Sequence, residues 1–406
     1  MVNLGADDPL TGVTRTTGWL DAAMTSEEVF AAAGETEASK TSSSAQAPPL
    51  RPCLPQLEHV LVFAERASEA GAHGDVMTRR FPMPSFPVGW FQIAYSEDLD
   101  VGAVVPLHYF GQHLVLFRGE DQKLGLLDAY CPHLGAHLGH GGRVEGNSVV
   151  CPFHAWKFDC TGACTDVPYA TRQPKRADTR AWHVVERSGL VLAWYHPDGE
   201  APHWDPPEAP EYGHPEWTDY TRKDWIIRTH NQEMAENAVD SAHFHYLHGT
   251  QNIPPTEAER EGHILHMKSP ATMTYKGMPV EGKITSDLYG FGYTQTRFFG
   301  IAETCLVSSS TPIDGERVHV RFNFMLRKTL GGSMIDDPAM LELVSSKFRA
   351  AVIRELEQDI PIWENKIYIS PPVLCDGDGP IGIFRKWVKQ FYTDSQYERL
   401  EQGLDA

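Results

Sequence analysis

Two cysteines and two histidines form the pattern that says most about the chemistry of this chain. Cys131 and His133 are separated by one residue, and Cys151 and His154, in a second short phrase, are separated by two. Each phrase therefore offers one thiolate and one imidazole, which are ligands for zinc and iron. The two phrases together predict a metal site built by two loops.

Two kinds of metal site fit this set of ligands. Two thiolates on one iron and two neutral imidazoles on the other are the ligands of a Rieske two-iron, two-sulfur cluster. A structural zinc site can also use two cysteines and two histidines, but zinc fingers usually group the cysteine pair before the histidine pair. Each cysteine here precedes a proline, and several glycines follow the first phrase. Such loops can fold closely around a cluster, so we expect the Rieske cluster.

A second group of residues with ligand character lies in the segment 237–248. It contains Asn237, Asp240, His243 and His248. Two imidazoles and one carboxylate make the facial triad that holds non-haem ferrous iron and leaves positions open for oxygen. Because His243 and His248 are five residues apart, they would not share a face of a regular helix, and we expect a bend or bulge there. The alternative is a helix with several satisfied histidines, since the chain has 19.

A helix predicted over 338–359 supplies a candidate for the missing carboxylate. At about 100° per residue, Leu341, Phe348 and Val352 fall on one stripe together with Asp359. An aspartate on an apolar face is costly unless it is paired or bound to a metal. Asp359 is therefore the predicted third ligand. The alternative is an aspartate at the helix end that reaches solvent just before Pro361.

The elements that must position these residues indicate two domains after an N-terminal extension, 1–82. The extension is expected to be largely flexible to about residue 55 and to contain a short helix at 56–69. A small all-β domain is predicted at 83–200, with strands at 102–109, 112–118, 123–130, 181–186 and 189–195. A catalytic domain is predicted at 201–406, with strands at 271–277, 281–287, 292–300, 303–311 and 316–327 and helices near 232–248, 338–359 and 380–392. The fold class expected is α+β.

Composition excludes several classes of function. The formal net charge of −19 argues against nucleic acid as a partner. No apolar run approaches the ~18–20 residues of a membrane span, and the N-terminus lacks an apolar signal region, so we expect no transmembrane segment and a cytoplasmic protein.

Seven scattered cysteines do not form a disulfide framework. Cys160 and Cys164 are expected to be free thiols beside a glycine turn, with a second small metal site as the alternative.

With both motifs in view, residues 83–395 resemble the oxygenase (α) component of Rieske non-haem iron oxygenases. The resemblance implies a Rieske cluster on Cys131, His133, Cys151 and His154, and a mononuclear Fe(II) on His243, His248 and Asp359. It implies that Asp240, with Asn237 beside it, serves catalysis, because Asp240 lies between the cluster of one subunit and the iron of its neighbour in a head-to-tail homotrimer. The implied catalytic domain is an antiparallel sheet with packed helices, of the helix-grip type.

The C-terminal part resembles the steroid-acting members, namely the 3-ketosteroid 9α-hydroxylase oxygenase component and the cholesterol 7-desaturase group. The residues that carry this resemblance lie at 359–368, 376–380 and 385–392, and the phrase 131–139 is similar to the desaturase group. Animal desaturases of this type carry an N-terminal membrane segment, whereas this chain has a polar tail. The resemblance implies hydroxylation or desaturation of a hydrophobic steroid or sterol-like substrate with O2.

The source of electrons follows from what the sequence lacks. No G-x-G-x-x-G phrase lies between a predicted strand and helix, so electrons must come from a separate flavin- or ferredoxin-type reductase. Five basic residues near the cluster could dock such a donor or form an ordinary solvated face: Arg143, Lys157, Arg172, Lys175 and Arg176. Two other functions stay open, namely ring hydroxylation or O-demethylation of an aromatic or other small substrate, and, more remotely, electron transfer without catalysis.

Overall fold

A computed structural model describes residues 79–250, 252–275 and 278–404 of the 406-residue chain. The extension that we expect to be flexible to about residue 55, and the helix predicted at 56–69, lie outside the described residues. The described residues contain strands throughout and α-helices only after residue 230.

Short antiparallel strands build the part of the described chain that contains the four-ligand pattern. One sheet has the order β1 (Gly89–Tyr95), β10 (Leu190–Tyr195), β9 (Val184–Arg187). A second has the order β2 (Val104–Tyr109), β3 (Gln112–Arg118), β4 (Leu124–Asp128). A third has the order β5 (Arg143–Glu145), β6 (Ser148–Val150), β7 (Lys157–Asp159), β8 (Cys164–Asp166). The two cysteine–histidine phrases form the loops before β5 and after β6.

A large antiparallel sheet dominates the rest of the described chain. Its order is β11 (Thr221–Ile227), β17 (Val318–Leu326), β16 (Thr304–Pro312), β15 (Thr294–Phe299), β14 (Met278–Tyr289), β13 (Ile264–Tyr275), β12 (Glu257–Glu261). A small hairpin of β18 (Thr329–Leu330) and β19 (Ser333–Met334) follows. Neighbouring strands of the large sheet follow one another along the chain except at the β11–β17 pair, so the sheet is a meander closed by one long-range pairing.

Helices pack on this sheet. They are α1 (Asn231–Glu236), α2 (Ala242–Tyr246), α3 (Pro338–Asn365), α4 (Ile381–Trp387) and α5 (Asp394–Glu401). Along α3, Phe348 and Val352 pack against Leu306 and Phe324 of the sheet, and farther along, Leu356 packs in a cluster with strand residues of β11 and β17. This arrangement confirms the predicted α+β class. None of the described helices combines the length and the apolar character needed to cross a bilayer.

The two groups of strands share a core. Thr311 on β16 donates a hydrogen bond to the main-chain carbonyl of Gln92 on β1, and Ser309 donates to the Gln92 side chain at 2.9 Å. The N–H of Phe110 donates to the carbonyl of Pro312 at 2.9 Å, and the buried ring of Phe110 belongs to a cluster that also contains residues after 380. Buried hydrogen bonds from β16 to Gln92 therefore join β1 and its small sheet to the large sheet.

Three details of the helices differ from the prediction. The helix near 232–248 is interrupted, because Asp240 is extended between α1 and α2. The helix α3 continues through Pro361 to Asn365, although proline removes one helical hydrogen bond. The last turn is held because the side chain of Trp363 is buried in the core. The helix α5 was not predicted, although Thr393 and Gln396 form a capping box that marks its start.

Candidate active site

The two cysteine–histidine loops have the same local conformation. In each loop the cysteine N–H donates to the carbonyl five residues later, at 2.9 Å for Cys131 and 2.8 Å for Cys151. The N–H four residues later donates back to the cysteine carbonyl, and that residue has a positive φ, 74° at Gly135 and 57° at Ala155. Left-handed backbone favours glycine, so Ala155 holds this turn at a conformational cost. The matched turns bury both cysteines, each 2% exposed.

The two histidines of these loops lie beside the cysteines. The ring centroids of His133 and His154 are 4.7 Å apart, and Trp156 stacks on His133 at 4.7 Å. Trp156 is held in turn by its Nε1, which donates to the hydroxyl of Tyr169 at 2.9 Å. Among the described residues, Nδ1 of His133 is buried without a hydrogen-bond partner. A buried imidazole nitrogen without a partner is suited to bind a metal.

The two cysteines, Cys131 and Cys151, are also suited to bind a metal. Burial, together with the neighbouring Cys151, raises the pKa of Cys131 to about 11. Two adjacent buried thiols lose their protons readily only to a metal, which stabilises the thiolate. Neither Cys160 nor Cys164 is in a disulfide, and Gly162 turns the chain between them with a φ of 81°, which is the predicted glycine turn.

The structure also brings together the three residues of the predicted second metal site. One ligand atom each of His243, His248 and Asp359 lies within 4.8 Å of the others, and Nε2 of His248 is 3.5 Å from Oδ1 of Asp359. The N–H of His248 donates to the carbonyl of His243 at 3.3 Å, a bond across five residues that is wider than an α-helical turn. The predicted break between the two histidines is therefore confirmed.

Hydrogen bonds fix the orientation of both imidazoles. Nδ1 of His243 donates to the main-chain carbonyl of Asp240 at 2.6 Å, and Nδ1 of His248 donates to Oε1 of Gln358 at 2.9 Å. Each Nε2 is then left with its lone pair for a metal. Burial lowers the pKa of His248 to about 4 and also lowers the pKa of His243, so both are neutral. His245 instead bonds the carbonyl of Thr250.

Asp359 is the carboxylate of this group, and its environment makes it a strong ligand for a cation. It is 8% exposed on α3, so the alternative of a solvent-reaching aspartate at the helix end is wrong. Burial raises the pKa of Asp359 to about 7, opposed by a hydrogen bond from Asn237 and supported by the charge of Asp240. Asn237 also accepts a bond from Trp363 at 3.4 Å, so its amide group is free to donate to Asp359. A bound cation would offset the burial of this carboxylate.

Asp240 positions His243 mainly through its backbone. Its carboxylate Oδ1 accepts from the N–H of Ala242 at 3.1 Å and of His243 at 3.4 Å, which starts α2 in the manner of an N-cap. The other carboxylate oxygen lies 3.9 Å from Nδ1 of His243, and the shorter bond goes to the main-chain carbonyl. Asp240 therefore bonds the ring of His243 through its main-chain carbonyl rather than its carboxylate.

A cavity of about 240 Å³ opens beside the three candidate ligands. The large sheet, α1, α2 and α3 form its walls, and the lining is mostly apolar, with Phe244, Phe291, Phe298, Phe322 and Trp363 among its aromatic rings. Tyr293 and Phe324 belong to the core instead. The cavity also contains Glu355, which the sequence reasoning missed although it lies on the same helical stripe as Asp359. Gln358, which holds His248, directly precedes Asp359 and was missed as well.

Comparisons with known proteins agree with this geometry. Residues 89–182 match the Rieske [2Fe-2S] domain, and residues 193–392 match the 3-ketosteroid 9alpha-hydroxylase C-terminal domain. The chain is 31% identical over 359 residues to cholesterol 7-desaturase from Caenorhabditis elegans, covering 79% of this chain and 80% of the relative. It is 32% identical over 346 residues to a probable 3-ketosteroid-9-alpha-monooxygenase, oxygenase component, from Rhodococcus rhodochrous, covering 79% and 83%.

Solved structures with the same fold include Pseudomonas putida CBB5 NdmA with caffeine, with a TM-score of 0.60 at 18% identity over 77% of this chain and 94% of that chain. Dicamba monooxygenase bound to dicamba has a TM-score of 0.59 at 18% identity over 78% of this chain and 98% of that chain. At such identity these likenesses show the fold alone. The Rieske match decides against the zinc alternative. The chain therefore belongs to the Rieske oxygenases, a family of oxidoreductases, and its relatives include 3-ketosteroid 9α-monooxygenase oxygenase components and cholesterol 7-desaturase.

Proposed function

We propose that this protein is the oxygenase component of a system that hydroxylates or desaturates a steroid or sterol-like substrate. The observation that carries the proposal is that His243, His248 and Asp359 lie together in the wall of an apolar cavity of about 240 Å³. An apolar cavity beside a facial triad is suited to present an unactivated carbon to oxygen chemistry. The names of the relatives, a cholesterol desaturase and ketosteroid monooxygenases, support the substrate class.

The proposal assigns one metal group to each half of the chain. The domain 83–200 holds a Rieske cluster on Cys131, His133, Cys151 and His154. The domain 201–406 holds a ferrous ion on the facial triad. When bound, the cluster supplies single electrons and the ferrous ion supplies the activation of oxygen.

The protein residues around the second site do the positioning. Gln358 and the carbonyl of Asp240 accept from Nδ1 of the two imidazoles and so direct Nε2 of each toward the metal position, while burial keeps both rings neutral. The amide of Asn237 donates to Asp359 and keeps this carboxylate turned toward the histidines. The apolar wall excludes water, so the substrate is oriented by shape and by the few polar groups in the cavity.

We propose a homotrimer in which Asp240 contacts His154 of the neighbouring subunit. The cluster loops carry exposed apolar side chains at their tips, Leu134 at 66% and Phe153 at 60%, which is the character of a surface that another protein covers. Analytical ultracentrifugation tests the trimer. A monomer at micromolar concentration would refute this assembly.

Asp240→Ala tests the role of the carboxylate within that assembly. Because His243 bonds the main-chain carbonyl of residue 240, the variant keeps that bond, and the iron content stays unchanged. We expect the reductase-coupled rate to fall by roughly 10²-fold, the low end for loss of a catalytic group. Asp240→Ala turning over normally would show that this role is wrong.

We further propose that a separate flavin- or ferredoxin-type reductase docks beside the cluster. Arg143 and Lys157 form ion pairs with Glu145, whereas Arg172, Lys175 and Arg176 are exposed on the loop after β8. This loop offers positive charge to an acidic donor. The free cysteines fit a reducing compartment, which supports the cytoplasmic location expected from the sequence.

Two measurements test the proposed function. An oxygenase contains one iron beyond the two of the cluster, whereas an electron carrier contains the cluster iron alone. Purified protein with a surrogate reductase, NADH and oxygen is then given sterols, 3-ketosteroids and small aromatics, and products are analysed by mass. A steroid that gains one oxygen or loses two hydrogens supports the proposal. Turnover of aromatics alone would keep the oxygenase and exclude the steroid substrate.

A further inference from the structure

A buried carboxyl group in the cavity is not used by the metal site. Glu355 lies on α3 one turn before Asp359, lines the cavity and is 8% exposed. Among the described residues, no hydrogen-bond partner reaches its Oε1. The facial triad is complete without it, because His243, His248 and Asp359 already provide the three ligand atoms.

A buried carboxyl oxygen without a partner, such as Oε1 of Glu355, weakens the fold. Burying a polar group without a hydrogen bond is unfavourable, and burying its ionised form is more so. Burial raises the pKa of Glu355 well above its usual range; the charge of exposed Arg354 opposes this shift, and the charge of Asp359 adds a smaller rise. Glu355 is therefore a neutral acid, with one O–H that can donate and a carbonyl oxygen that can accept.

The surroundings of Glu355 indicate what would satisfy it. Its neighbours on the cavity side of α3 are Val352 and Leu356, and the facing strand contributes Phe322. Another polar atom without a partner in the described structure is the side-chain oxygen of Asn231, whose amide donates to Ser310. Serine and threonine side chains of the sheet, such as Ser286, Thr294 and Ser308, also line the cavity, but most of its surface is apolar, which matches a ligand with a large apolar body and few oxygens.

We propose that Glu355 binds a neutral oxygen of the substrate, a hydroxyl or a carbonyl group, and thereby selects oxygen-bearing apolar molecules. A hydroxyl can both donate to and accept from the neutral carboxyl, and a carbonyl can accept its O–H. The inference rests on the cavity of the proposed function, but it does not require the substrate to be a steroid. In this proposal Glu355 orients the substrate, while the three ligands of the triad hold the ferrous ion.

Equilibrium dialysis of the purified holoprotein tests this assignment without turnover. The probes are two pairs that differ by one hydroxyl group, cyclohexanol with methylcyclohexane, and cholesterol with the hydrocarbon that lacks its hydroxyl. Cyclohexylamine tests the opposite case of a cationic ligand. The variants are Glu355→Gln, which keeps a donor and an acceptor, and Glu355→Leu, which keeps neither. Glu342→Leu, at an exposed position of the same helix, is the matched control.

We expect the wild type, Glu355→Gln and Glu342→Leu to bind the alcohol of at least one pair about tenfold more tightly than the hydrocarbon, the factor that one hydrogen bond contributes. Glu355→Leu loses this preference while it still binds the hydrocarbon, which shows that the cavity is intact. An unchanged preference in Glu355→Leu, no preference in the wild type for either pair, or tighter binding of cyclohexylamine would each overturn the proposal. If the steroid pair fails to bind and the cyclohexanol pair behaves as expected, the steroid substrate is wrong and the role of Glu355 stands.

Discussion

Asp359→Asn should make the metal-free protein more stable than the wild type, and this advantage should grow with pH. The reason is that the buried carboxylate of Asp359 is destabilising when no cation is bound to offset its charge. Asp359 is 8% exposed, and burial raises its pKa from 3.8 to about 7. Asparagine fills nearly the same volume and has no charge to bury, so the variant removes only the ionisation.

The magnitude follows from the shift in pKa. Because the folded pKa is raised, the stability that the protonated carboxyl contributes is fully present below pH 3.8 and is lost as the pH rises through about 7. A shift of about three units corresponds to roughly 4 kcal/mol above both pKa values. Between about pH 5.5 and about pH 8.5 the wild type should therefore lose roughly 2 kcal/mol relative to Asp359→Asn.

Urea unfolding of chelator-treated protein at these two pH values measures the difference. Glu342→Gln, an exposed change on the same helix, is the control and should show a gap from the wild type that is independent of pH. Ferrous iron added without oxygen should reverse the order, since the wild type gains the binding free energy and Asp359→Asn does not. A gap between Asp359→Asn and wild type that stays constant with pH, or an equal gain from iron in both, would refute this account of Asp359.

Two further predictions concern a close contact and a charged loop. A Cβ at Gly379 would lie 1.8 Å from the carbonyl oxygen of Val239, so Gly379→Ala should displace the segment before the histidines, cost roughly 3 kcal/mol and lower the iron content. Gly377→Ala is its control, because a Cβ there meets only a sulfur at 3.8 Å; equal effects of both variants on urea unfolding would contradict the argument. Replacing Lys175 and Arg176 by glutamate should slow reduction of the cluster by the reductase roughly tenfold at low salt and flatten its salt dependence in stopped-flow measurements, whereas unchanged rates would place the donor elsewhere.

Two acidic residues in the cavity lower the stability of the fold and serve binding instead. Asp359 and Glu355 are acids on one buried stripe of α3, and burial raises the pKa of each. A stable helix of this kind would carry apolar residues at both positions. We interpret the two acids as binding groups, Asp359 for a cation and Glu355 for a neutral oxygen of the substrate.

The sequence by itself determined the features that depend on short distances along the chain. The ligands at 131–154 lie in two loops between short strands, and the histidines of the second site lie five residues apart, so their spacing limits the possible geometry. The strands β14 to β17 were predicted within about three residues, because turns and β-rich runs alternate there, whereas β13 begins well before its predicted start and β11 and β12 were not predicted. The α+β class followed from the order of these elements.

The tertiary structure decided which distant residues meet. Helical periodicity placed Asp359 on a buried face of α3, but only the packing of that helix on the sheet brought it within reach of His248, more than 100 residues earlier. The same packing turned Glu355 into a cavity residue and separated Phe291, which lines the cavity, from Phe324, which fills the core. Hydrophobic periodicity predicts which face of a helix or strand is buried, but it does not predict which element packs against that face. The partner depends on how sheets and helices stack, and that stacking is set by many weak contacts across the whole chain.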